Sequence, residues 1–152
     1  MQGLSKRSSQ DSGNSSRLLI VDDDAYLRIS LRQQLLAEGF HNIFDIGSAA
    51  GLKTILKDAN PDLILLDIQM PDGNGVEICK QLRSDGFIKP IVMLTAKNAE
   101  VDIIEGLEAG ANDYITKPLR MGELLARVHT QLRQFKASDD ARFELVDLNF
   151  VP

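Results

Sequence analysis

The sequence predicts an α/β fold: a doubly wound sheet of five parallel strands with five helices. Two observations predict it. From Arg17 to Gln134, short apolar, β-branched runs alternate with longer amphipathic stretches, which is the rhythm of strand–helix–strand crossovers. The third and fourth short runs, "DLILLD" and "PIVMLTA", are apolar almost throughout. Both faces of those strands must therefore be covered, as in a parallel sheet with helices on both sides.

The elements follow in order. "RLLIV" is a buried strand. "AYLRISLRQQLLAEGF" sets Leu27, Leu31, Leu35 and Leu36 on one helical face, and Gly39 stops the helix. "NIFDI" is the second strand. "SAAGLKTILKDAN" is a helix with Ser48 as its N-cap. Pro61 precedes the third strand, and "GVEICKQLRS" is the next helix. "PIVMLTA" is the fourth strand, and the helix "AEVDIIEGLEAG" after it ends at Gly110. "DYITKP" is a short fifth strand, and "MGELLARVHTQLRQ" is the last helix.

Composition bounds the rest. The chain has 152 residues, an apolar fraction of 43% and a formal net charge of −5, which suits one domain with some extra length. The acidic balance argues against this chain alone gripping a phosphate backbone. Cys79 is the only cysteine, so no internal disulfide forms and a reducing, cytoplasmic setting is expected. No apolar run approaches the roughly 20 residues of a membrane span. Lys6 and Arg7 have no apolar stretch behind them, so the N-terminus is not a secretory signal. Residues 1–16, rich in Ser, Gly and Gln, read as a flexible tail, and 17–135 as the folded domain. Residues 136–152 break the pattern: "ASDDA" reads as a linker and "RFELVDLNFVP" as a small hairpin opening a second domain.

In a parallel sheet all strand ends lie on one edge, where open α/β sheets bind ligands. The first strand ends at Asp22 and Asp23, the third at Asp67, the fourth at Thr95 and Ala96, the fifth at Lys117 and Pro118. Each residue has an ordinary reading of its own: a solvated acidic loop, a turn, a cap. Together they make one site of three carboxylates, a hydroxyl and an ammonium. Three clustered carboxylates do not all ionise without a cation. Lys117 supplies one charge, and the remaining excess suits Mg²⁺, a hard ion held by carboxylates, waters and phosphate oxygens. Such a site is equipped for phosphoryl transfer. In "MPDGNG", residues 70–75, two glycines permit unusual backbone angles and close approach to a ligand, and Asp72 is read as a turn-former. Cys79, His41 and His129 have no catalytic partner in the pattern.

"LLIVDDD", "LILLDIQMPDGNG", "IVMLTA" and "GANDYITKP" occur in this order, and together they resemble the receiver domain of two-component response regulators, from about Arg17 to Gln134. The resemblance implies a flavodoxin-like fold, as read above. It implies that Asp67 is the phosphoacceptor for a histidine kinase. Asp22, Asp23, Asp67 and the backbone carbonyl of Gln69 would hold Mg²⁺, with Asp24 a solvated bystander. Thr95, the Ala96 N–H and Lys117 would hold the phosphoryl group. Tyr114 matches the aromatic that turns inward when Thr95 moves, and the Lys117–Pro118 bond is usually cis in the family. The chain is then no enzyme beyond Mg²⁺-dependent self-phosphorylation and self-dephosphorylation. Gln69 and Lys97, which would flank the attacking water, are not carboxylates, so slow dephosphorylation is expected.

The last helix and the tail resemble the OmpR/PhoB-like subfamily, whose effector is a winged helix. DNA would be bound only through that effector, which this chain lacks. The subfamily pairs through the fourth helix, fifth strand and fifth helix as a homodimer on phosphorylation. Glu108, Asp113, Glu123 and Arg127 stand at matching positions, which makes an Asp113–Arg127 bridge across the two-fold axis the expectation. Ile103, Gln134 and His129 depart from the subfamily's basic residues, which predicts a weaker dimer. Three other readings are open: a receiver that stands alone with its tail as decoration, a receiver that binds partners without phosphorylation, opposed by the complete acidic set, and a phosphatase using Asp67. The last needs an acid two residues on, where Gln69 stands.

Overall fold

The computed structural model describes residues 15–96 and 100–150. Five parallel strands form its main sheet: β1 (Arg17–Val21), β2 (Asn42–Ile46), β3 (Leu63–Asp67), β4 (Ile91–Ala96) and β5 (Asp113–Lys117). Their order across the sheet is β2-β1-β3-β4-β5. The helices among the described residues are α1 (Ala25–Ala37), α2 (Leu52–Ala59), α3 (Gly75–Ser84), α4 (Glu100–Glu108) and α5 (Met121–Phe150).

The period of two along each strand sorts the core into two layers. Leu18 and Ile20 of β1 and Leu63 and Leu65 of β3 face Leu31 and Leu35 of α1 and Leu124 and Val128 of α5. Leu19, Val21, Ile64 and Leu66 face the other way, against Leu52 of α2 and Val76, Cys79 and Leu82 of α3. Gly106 brings α4 onto Met93 of β4 on that same side. Burying a large aliphatic side chain contributes roughly 1.5–3 kcal/mol. Both faces of β3 and β4 are covered, which is why those runs carry no alternation.

Several local expectations are corrected. Leu36 is 46% exposed while Leu31 and Leu35 are buried; adjacent leucines point about 100° apart, and the core takes only one of them. The second helix starts at Leu52 after Gly51, with no side-chain cap. Ser48 is not its N-cap, because Asp72 reaches across to accept from the Ala49 and Ala50 N–H groups, at 3.0 and 3.2 Å. A short ladder pairs Gln69–Met70 with Gly73–Asn74 just after β3, and the sequence reading missed it. The predicted linker and hairpin after Gln134 differ most: α5 continues through them to Phe150. A hairpin needs further strands to pack on, whereas a helix satisfies its backbone hydrogen bonds internally. Residues 1–14, most of the expected tail, and Lys97 lie outside the described residues. Among the described residues, no helix is long and apolar enough to cross a membrane.

Candidate functional site

The carboxyl edge of the sheet brings the predicted residues together. Asp22 follows β1, Asp67 closes β3, Thr95 lies near the end of β4 and Lys117 closes β5. The register sets Thr95 beside Thr116 and Ala96 beside Lys117. A cavity of about 270 Å³ opens there, lined by Asp23, Asp67, Gln69, Thr95, Ala96 and Lys117 among others.

Inside it, Lys117 Nζ stands 2.9 Å from Asp22 Oδ2 and 3.5 Å from Asp67 Oδ1. Asp22 Oδ2 is buried, and the Lys117 ammonium is the group it meets. The Thr95 hydroxyl is also buried without a hydrogen-bond partner. Asp67 Oδ1 accepts from the Gln69 N–H at 3.2 Å. Carboxylate oxygens of Asp22, Asp23 and Asp67 lie within 4.8 Å of one another, an arrangement that could hold a metal ion. Three carboxylates offering hard oxygen donors beside the Lys117 ammonium leave an excess of negative charge that fits a divalent cation of the Mg²⁺ type.

The electrostatics reflect that excess of negative charge. Burial, then the neighbouring Asp22 carboxylate, push Asp67 up to about 6 against the opposing pull of Lys117. Burial works against the Lys117 charge, but Asp22 and then Asp67 outweigh it and hold the ammonium above its ordinary value. The sign of the resulting pH dependence follows from linkage. Asp67 binds its proton more tightly folded than unfolded, so its charge costs no stability below the ordinary 3.8. The penalty grows as pH rises through about 6 and is constant above. With chelator present, Asp67→Asn is therefore expected to be more stable than the parent at pH 7.5, by on the order of 2 kcal/mol. Thermal melts should show the two converging near pH 4.

The acidic triplet divides its labour. Asp24, expected to be a bystander, is the N-cap of α1, accepting from the Leu27 N–H at 3.1 Å. Its own N–H donates to Asp22 Oδ1 at 2.9 Å. The two glycines of "MPDGNG" also have structural work: a Cβ on Gly75 would lie 2.5 Å from the Asp67 carbonyl oxygen, and one on Gly73 would lie 2.9 Å from the Ala49 Cβ. The close approach at Gly75 is to the chain's own backbone, not to a ligand, and neither glycine takes the positive φ expected of it. Sequence reasoning also missed Arg28, whose guanidinium reaches the Asp22 carbonyl at 2.7 Å; a hydrophilic helix position gives no sign of such a reach.

The remaining predicted residues lie beside the site. Tyr114 on β5 is 36% exposed, so its ring is partly turned to solvent. The Lys117–Pro118 bond is cis. Arg127 on α5 pairs within the chain, with both Asp113 carboxylate oxygens at 2.9 Å and with Glu123 at 3.2 Å. Glu123 therefore has a partner in its own chain. Glu108 is exposed at the end of α4. His129 stacks on Phe40 and lies 3.3 Å from Glu38, apart from the cluster of Asp22, Asp23 and Asp67.

A parallel sheet in the order 2-1-3-4-5 with acids at the central strand ends is the architecture of CheY-like receivers. The chain belongs to the response regulator receiver domain family, whose profile matches residues 18–129. It is similar to the DNA-binding response regulator MtrA of Mycobacterium tuberculosis, 45% identical over 132 residues, which are 87% of this chain and 56% of that protein. It is likewise similar to the response regulator MprA of Mycobacterium ulcerans, 41% identical over 136 residues, covering 90% of this chain and 58% of that one. The chain thus spans a little over half the length of these curated relatives. The receiver domain of the TMAO respiratory system response regulator TorR superposes with a TM-score of 0.74 at 37% identity, over 78% of this chain and 98% of that one. A CheY-like receiver from Methanospirillum hungatei superposes with a TM-score of 0.75 at 28% identity, over 81% and 98%. The chain is accordingly a receiver domain of the two-component type.

Proposed function

We propose that Asp67 accepts a phosphoryl group from a histidine kinase and that the adduct shifts the domain between two conformations. The observation that carries this reading is the cluster of Asp22, Asp23, Asp67 and Lys117 around one cavity. In the transfer, an Asp67 carboxylate oxygen forms the new P–O bond as the donor's P–N bond breaks. The leaving imidazole keeps the electron pair and takes up a proton. Asp22, Asp23, Asp67 and the Gln69 carbonyl would hold Mg²⁺, which when bound neutralises charge on the phosphoryl oxygens. Lys117, already 3.5 Å from Asp67 Oδ1, pairs with a phosphoryl oxygen, and the Ala96 N–H donates to another. The Thr95 hydroxyl, buried without a partner, gains one in the phosphoryl group. Its movement vacates space for Tyr114 to turn inward, so the adduct favours a conformation with a different α4–β5–α5 face. Incubation with acetyl phosphate should add one phosphoryl mass to the intact chain in the presence of Mg²⁺ and nothing in the presence of a chelator. An adduct that persists undiminished in chelator would contradict the metal's part.

The relatives named as DNA-binding response regulators support an output through DNA, exerted by an effector domain beyond this chain, in the cytoplasm. Residues 136–152 then form the junction to that effector. The face made by Glu108, Asp113, Glu123 and Arg127 is proposed to pair two copies after phosphorylation across a two-fold axis. Because Arg127 is already shared by Asp113 and Glu123 within the chain, pairing exchanges existing ion pairs rather than adding new ones. Exposed ion pairs are each worth roughly 0–1 kcal/mol, so a weak dimer is expected. Sedimentation should show a monomer without a phosphoryl mimic and partial dimerisation with one, lost in Arg127→Glu. A tight dimer indifferent to both would place pairing on another surface.

A further inference from the structure

We infer that Arg28 is a positioning residue for the cation site: it fastens the backbone of Asp22 to β2 and so fixes where the β1–α1 carboxylates stand. This rests on the reading of the acidic cluster as a divalent-cation site. Arg28 lies one turn into α1, with its side chain 20% exposed. Its Nη1 donates to the Asp22 carbonyl at 2.7 Å, and its Nε donates to Asp45 Oδ2 on β2 at 2.9 Å. Asp45 is steadied in turn by Arg32 Nη1 at 3.2 Å, and that same nitrogen holds the Ile43 carbonyl at 2.9 Å.

Asp22 is thereby gripped on every side. Its N–H donates to the Ile46 carbonyl at 3.2 Å, its carbonyl accepts from Arg28, and its Oδ1 accepts from the Asp24 N–H at 2.9 Å. One carboxylate oxygen is left to face Lys117 and the acidic cluster. Loss of a group that orients a ligand in this way typically weakens metal binding by roughly ten- to a hundredfold. The task needs the guanidinium fork, which presents separate nitrogens to two acceptors in one plane, whereas a lysine has a single nitrogen. The sequence also makes room for it. A Cβ on Gly47 would lie 2.6 Å from Arg28 Nη1 and 3.1 Å from Cζ, so a side chain there would evict the guanidinium.

Arg28 also places a positive charge near the cation site, which opposes binding. The informative variants therefore keep the net charge: Arg28→Lys removes the fork, and Gly47→Ala displaces it from the opposite side. The experiment titrates Mg²⁺ into the full chain by calorimetry, follows the Asp22–Asp24 amide resonances, and melts each protein in chelator. Both variants are expected to bind Mg²⁺ about tenfold more weakly than the parent, with the Asp22–Asp24 amides shifted before any metal is added. Either variant binding as the parent does, whatever its melting temperature, overturns the inference and leaves Arg28 a purely structural tie. A parent chain that fails to bind Mg²⁺ at all would instead overturn the reading of the site on which the inference rests.

Discussion

Replacing Lys117 with alanine is expected to slow phosphoryl transfer to Asp67 by about a hundredfold or more, the usual loss when a fixed charge donor is removed from a reacting centre. Lys117 is the cation that stands beside both buried carboxylates, 2.9 Å from Asp22 and 3.5 Å from Asp67. Its removal takes from Asp67 a positive charge that pulls its pKa down. The incoming phosphoryl oxygens also lose their pairing ammonium. Mg²⁺ binding should survive, because the ammonium competes with the metal for the same negative charge. Adduct formation timed with acetyl phosphate, beside a Mg²⁺ titration, separates the two effects. A variant that phosphorylates at the parent's rate would remove Lys117 from the site.

Gly75→Ala is expected to destabilise the domain by about 3 kcal/mol, the cost of forcing a methyl into a packed interior, or roughly 10 °C in melting temperature. The methyl would meet the Asp67 carbonyl oxygen at 2.5 Å and the Ile68 Cα at 2.6 Å. These are backbone atoms and cannot swing aside. The Gly75 N–H also donates to the Ile68 carbonyl at 2.6 Å, so either the start of α3 or the end of β3 must move. Relief at the end of β3 displaces Asp67 itself, and phosphorylation should then fall along with stability. Gly122→Ala is the matched control, since a methyl there has nothing within 4 Å; its melting temperature should hold or rise slightly.

The difference between these two glycines shows what was legible in the sequence. Asp22, Asp67, Thr95 and Lys117 could be assembled from the chain alone, because alternating strands and helices force strand ends to one edge. A polar residue at four such ends then needs a common cause. The two-layer core was legible for the same reason, through the unbroken apolar runs of β3 and β4. The contacts of Arg28, the backbone that Gly75 approaches and the hydrogen bonds that Asp72 accepts from Ala49 and Ala50 were not. Each depends on a side chain meeting backbone brought from elsewhere in the chain, and no periodicity encodes that meeting. Leu36 misled because a helical face is wider in sequence than the core it covers. The stretch after Gln134 misled because weak alternation looks like strand when no partner strand is at hand to test it. Arg127 pairs with Asp113 within one copy, a contact that the spacing of the two residues did not reveal.

The most direct test of the account is to locate the phosphoryl group. The chain is incubated with acetyl phosphate and Mg²⁺, the adduct is reduced with borohydride, and the peptides are read by tandem mass spectrometry. An acyl phosphate on Asp67 leaves homoserine at that position after reduction. The account expects homoserine at position 67 and nowhere else, and no adduct in Asp67→Asn. Homoserine at position 22 or 23, or an undiminished adduct in Asp67→Asn, would contradict it.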